Sequence, residues 1–227
     1  MSRDDPFLVR HTSWPAVGES NGERGVLNRA GALVVADFYQ QLALGGWAYH
    51  IQVGALSTAV AGTAALTALI GVGLVDNNAG YATLPLHSEM HIATYSTATL
   101  FLSMIEADMA KKRFTSGGTA LTPRNLRGDA PHSFNGAAYN NTGTLVIAAA
   151  SAAPHSVELA RGVGSEDAQP ATTFTDRGAH FIWDVRNGHP VILVDAGSIV
   201  MHHGSTSATD TMYGNLQFAQ VEKALIV

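Results

Sequence analysis

Apolar and polar positions alternate in short runs along most of this chain, and no segment carries a capped apolar repeat of 3.6 residues. Residues 32–44 and 46–56 are apolar-aromatic runs split by Gly45-Gly46, which reads as two strands. Residues 58–75, rich in Ala, Gly and Thr, fit either strand or helix, because periodicity does not separate the two in short apolar runs. Residues 84–110 read as long strand material. There Leu100, Leu102 and Met104 share one face, and Glu106 and Asp108 mark the solvent end. A long irregular stretch, 114–141, follows, and then short strands at 144–149 and 156–161. Another polar loop spans residues 162–178. The apolar runs 180–185 and 191–202 flank Asn187-Gly188, a strong short-range hairpin sign. A last strand covers residues 215–223.

These elements predict an all-β chain of seven to nine strands, an antiparallel β-sandwich of jelly-roll type over residues 31–227. Residues 1–30 are polar and broken by Trp14-Pro15, Gly18, Gly22 and Gly25, so they read as an extended N-terminal arm. The early acids Asp4 and Asp5, with no apolar run behind them, argue against a secretory leader. Residues 38–75 lack Asp, Glu, Lys and Arg, a span long enough for a membrane helix. Its polar side chains (Gln40, Gln41, His50, Gln52) and its small-residue second half argue against one, so no membrane span is expected.

Composition narrows the function. The 227 residues carry 13 Lys+Arg against 18 Asp+Glu, with no basic block, so specific nucleic-acid binding is not expected. Cysteine is absent, which removes disulfides, thiol catalysis and Cys-ligated metals. Charged residues make up 14% of the chain, and its lysines are only Lys111, Lys112 and Lys223. Subunit interfaces are depleted in Lys and Glu, so this composition suits a protein largely covered by copies of itself.

Candidate chemistry is sparse. His87-Ser88-Glu89-Met90-His91 holds an i, i+4 histidine pair that would chelate a metal on a helix. On a strand the two imidazoles stand about 13 Å apart, too far for one ion. His202 and His203 on a strand point to opposite faces. Gly18-Glu19-Ser20-Asn21-Gly22 matches the serine-elbow pattern without the strand and helix that strain the nucleophile. Arg127-Gly128-Asp129 resembles an attachment tripeptide, but with Arg124 it fits ion pairing that orders the long loop. No catalytic, cofactor-binding or metal-binding residue is therefore assigned, no cofactor is expected, and the chain is not expected to be an enzyme.

Residues 190–202, Pro-Val-Ile-Leu-Val-Asp-Ala-Gly-Ser-Ile-Val-Met-His, continue through Gly204-Ser205-Thr206 into Gly214-Asn215-Leu216-Gln217-Phe218-Ala219-Gln220-Val221-Glu222. This order of strand, turn, strand, small-residue loop and final strand resembles the closing strands of viral single-jelly-roll virion proteins, bacteriophage-type. Leu121-Thr122-Pro123-Arg124-Asn125-Leu126-Arg127 is similar to a segment of the same class, and the likeness spans residues 46–225, departing at 58–75. The resemblance implies a capsid, cement or decoration subunit located in the virion. Such a subunit self-associates as a trimer or larger capsomer, contacts other virion proteins and reaches a neighbour with its N-terminal arm. Two other classes fit the chain. A carbohydrate-binding or adhesion module would stack sugars on Trp14, Trp47 or Trp183, although Trp47 and Trp183 sit in apolar core patterns. A cupin-like metal enzyme would draw on Glu89, His91 and His180.

Overall fold

The computed structural model describes residues 26–27, 33–34, 38–55, 58–62, 70–94, 99–166, 181–188, 190–206 and 210–226. Eight principal strands carry the fold: β1 (Ala48–Val53), β2 (Ile70–Asn77), β3 (Tyr81–Thr94), β4 (Thr99–Asp108), β5 (Ser156–Glu166), β6 (Phe181–Asp184), β7 (Gly197–Ser205) and β8 (Thr211–Glu222). One sheet runs β1-β8-β3-β6 and the other β2-β7-β4-β5, with every pairing antiparallel. The pairs β1–β8, β2–β7, β3–β6 and β4–β5 are those of one long antiparallel ribbon wound around a barrel axis, which is a jelly roll.

The core lies between the sheets. Tyr49, Ile51 and Val53 of β1 and Leu216 and Phe218 of β8 meet Ile105 of β4 and Ile199 and Met201 of β7, all at most 2% exposed. β8 alternates cleanly, with Tyr213, Asn215 and Gln217 partly exposed and Met212, Leu216 and Phe218 buried. At Gly73 the two sheets lie close together. A Cβ there would stand 2.6 Å from Val53 Cγ2.

β2 and β7 are buried on both faces because the connection 109–155 covers the outer side of their sheet. Within it Gly136–Asn140 and Thr119–Leu121 extend that sheet beyond β2, and Arg124–Asn125 pairs with β1 in the other. This covering overturns the reading of Glu106 and Asp108 as the solvent end of a strand, since both are buried. The outer face of β4 is open at Leu100, which is 46% exposed, and closed where the connection lies over it.

Residues 84–110 are strand material divided between β3 and β4, which belong to different sheets. Two further expectations are corrected. Phe38–Leu44 is a helix, α1, rather than part of a strand. Leu42 is buried, with Tyr39 and Ala43 packed beside it at helical spacing. Gly45-Gly46 is its C-terminal cap: Trp47 N–H bonds Leu42 C=O, Gly46 N–H bonds Ala43 C=O, and Gly46 takes φ +76°. Asn187-Gly188 closes no hairpin. It ends a 3-10 turn, Val185–Asn187, capped by Asp184; Leu193–Val194 then pairs with β3 in the same sheet before the chain enters β7 in the other.

Of residues 58–75, Val60–Ala61 pairs with β8 and residues 70–75 belong to β2, while 63–69 lie outside the described residues. Most of the expected arm also lies outside them, apart from Val26–Leu27, which pairs antiparallel with Leu33–Val34. Among the described residues no helix is long and apolar enough to cross a membrane.

Candidate functional site

The outward side chains of the first sheet line up across its strands. The register sets Arg124 opposite His50, His50 opposite Gln217, Gln217 opposite His87, and His87 opposite Asp184. Beside this row Gln52, Asn215, Glu89 and Ile182 form a second. Strand alternation sends their buried neighbours into the core and leaves these side chains facing out.

His87, Glu89 and His91 stand on this strand face, with Glu89 between the histidines. Its Oε1 lies 3.1 Å from His87 Nε2 and its Oε2 lies 3.6 Å from His91 Nε2. The other nitrogen of His87, Nδ1, is 3.4 Å from Asp184 Oδ2. Asn215 Nδ2 donates to Glu89 Oε2 at 3.1 Å, and this bond leads the effects that hold the Glu89 carboxyl below its ordinary range. Arg186 grips Asp184 through Nε and Nη2 at 2.8 and 2.7 Å, and this grip is the main reason Asp184 is pushed down to about 2. At the far end of the row burial, followed by the charge of Arg124, lowers His50 and favours its neutral imidazole. No group of three or more His, Asp or Glu is placed to hold a metal ion among the described residues.

Two clefts open along this face. One, of about 390 Å³, is bounded by α1 (Tyr39, Gln40, Ala43), Leu126, His87, Asp184 and Gln217. The other, of about 510 Å³, lies between β1 (His50, Gln52) and Ala120, Leu121, Thr122 and Arg124. His50 and Gln217, paired in the ladder, join them.

A second polar cluster, on the other sheet, is structural. Glu106 accepts from Arg113 Nη1 and from the Ser156 hydroxyl, and His202 Nε2 lies 3.0 Å from its Oε2. Burial works to raise the Glu106 carboxyl, but the bonds from His202, Ser156 and Arg113 outweigh it and hold the group at about 2. The Arg113 backbone N–H bonds Ser198 Oγ at 2.8 Å, and its Nε bonds Ala148 C=O at 3.0 Å. Arg113 thus pins the covering connection to the sheet. Because Glu106 has a folded value near 2 against an ordinary 4.5, its stabilising contribution is complete above about pH 4.5. That contribution fades as the pH falls toward 2. Acid titration of folding should therefore show stability declining across this window, and the decline should be smaller in Glu106→Gln.

The remaining sequence candidates are placed as follows. His202 faces outward to Glu106, and His203 faces inward, its Nδ1 2.9 Å from Ser103 Oγ. Arg127 pairs with its own Asp129 at 2.8 Å and donates to Leu44 C=O at 2.9 Å, so the tripeptide orders the loop, while Arg124 joins the sheet-face row instead. Trp183 is 6% exposed, and Trp47 stacks on His132 with ring centroids 3.6 Å apart, so neither is an open stacking platform. Trp14, His180 and the Gly18–Gly22 motif lie outside the described residues. The composition of the row was missed in the sequence. Asp184, Gln217, His50 and Arg124 join His87 only through strand pairing. Neither a protein-family model nor a curated protein matches the chain.

Proposed function

We propose that the chain is a structural subunit of a virus particle, a capsid, cement or decoration protein that assembles with copies of itself. The observation that carries this reading is a lysine asymmetry along the jelly roll. The connections 54–69, 95–98, 167–180 and 206–210 join strand ends at one end of the sandwich and contain no lysine. All three lysines belong to the opposite end: Lys112 reaches Asn78 in the β2–β3 turn, Lys111 precedes it, and Lys223 follows β8 and pairs with Asp195. A surface that stays in water gains solubility from lysine, whereas an end that packs against a neighbour does better without it.

In this reading the sandwich is a rigid block, and residues 1–30 are assigned to contacts with a neighbouring subunit. Assembly energy comes from apolar burial spread over several modest interfaces rather than from one pocket. Light scattering over a concentration series tests it. A stable trimer or hexamer, or growth into closed particles visible by electron microscopy, is expected. A strict monomer at every concentration would sink the proposal.

A further inference from the structure

We infer that the outer face of the first sheet is a binding groove for a neutral oligosaccharide, laid across the strands over His50 and Gln217. The row from Arg124 to Asp184 crosses four inter-strand gaps, about 19 Å at roughly 4.8 Å each, so the floor is longer than one small ligand requires. Other elements bound it: α1 beside the cleft at the Asp184 end and Ala120–Thr122 beside the cleft at the Arg124 end.

The chemistry of the floor selects the ligand. The carboxamides of Gln217 and Gln52 make no side-chain hydrogen bond to the described residues. Each offers a donor and an acceptor side by side, the pattern a hydroxyl-bearing ring satisfies, and neutral His50 between them adds one of each. Asp184 is ion-paired with Arg186, so the cleft beside it presents little net charge. Leu126, 46% exposed, and Ala43 line the same cleft and supply the apolar surface on which the C–H face of a sugar packs.

Other ligand classes fit less well. A phosphate or sulfate would meet Arg124 at one end and, at the other, an Arg186 already paired with Asp184, with Glu89 on the same face. An extended peptide would seek free backbone groups, but those of the floor are spent in the ladder between β1, β8 and β3. The groove uses none of the tryptophans that the sequence suggested for sugar stacking.

The test is an array of defined neutral, sialylated and sulfated glycans, followed by calorimetric titration of any hit with the full chain. Binding to neutral oligosaccharides is expected, weakened about tenfold by Gln217→Ala and further by Gln52→Ala, with thermal unfolding unchanged because both side chains face out. Glu158→Ala, on the opposite sheet, should bind as the parent does. The inference is overturned if no neutral glycan binds, if only anionic glycans bind, or if binding persists unchanged in the double Gln variant. Since none of these readouts depends on oligomeric state, failure here leaves the assembly proposal standing, and the reverse holds as well.

Discussion

Replacing Glu106 with alanine is expected to destabilise the fold by about 3–5 kcal/mol, the usual cost of breaking a buried ion pair from one side. Arg113 is 4% exposed, and without Glu106 its guanidinium keeps only the Ala148 carbonyl among the partners described above. His202 and Ser156 lose their shared acceptor at the same time. The variant has no inexpensive way to rehydrate, because the connection that covers the cluster is itself fastened by Arg113. The double variant Glu106→Leu with Arg113→Met removes both charges and should recover much of the loss. Urea denaturation of the three proteins at one fixed concentration measures this. A loss below about 1 kcal/mol in Glu106→Ala would mean that the cluster is hydrated and does not hold the connection.

The second large effect belongs to the other side of the sandwich. Phe218→Ala should cost about 3–5 kcal/mol through lost transfer energy and the cavity left behind. Phe218 is fully buried on β8, 5.8 Å from the Tyr49 ring and 5.2 Å, edge-on, from that of Phe134. Tyr49 provides an independent readout. Burial, followed by the nearby Tyr81, pushes its phenol up to about 12, so water entering the Phe218 cavity should bring its titration down. Ultraviolet titration of tyrosinate would detect the change. If the Tyr49 titration stayed in place while stability fell, the site would have collapsed around the missing ring rather than filled with water.

What could be read from the sequence differs by element. β8 was legible because its alternation is local and its outward residues are polar. The antiparallel sandwich followed from repeated runs of that kind. Gly45-Gly46 was legible as punctuation, but a glycine pair ends a helix as readily as it separates strands, and seven residues of α1 are too few to show a period clearly. Asn187-Gly188 misled for a related reason: the dipeptide favours a turn, and a turn between apolar runs makes a hairpin only if the runs pair with each other, whereas Phe181–Asp184 and Leu193–Val194 both pair with β3. Glu106 and Asp108 look like solvent-facing residues in every local window. They are buried by a connection whose path depends on its Arg113 meeting Asp76 of β2 and Ser198 of β7. The face around His87 was half legible. Strand geometry placed His87, Glu89 and His91 on one side, whereas the neighbours that complete the row arrive by pairing that no local pattern encodes.

The place of β8 has a consequence for how the protein is made. The last strand sits between β1 and β3, so the first sheet has no middle until residues 211–222 have left the ribosome. During synthesis β1 and β3 wait with open edges, and β2 waits likewise for β7. Sheets closed by such distant partners form slowly, and waiting edges invite pairing with other nascent chains. A message truncated just before the final strand would therefore yield an aggregating product rather than a smaller folded one.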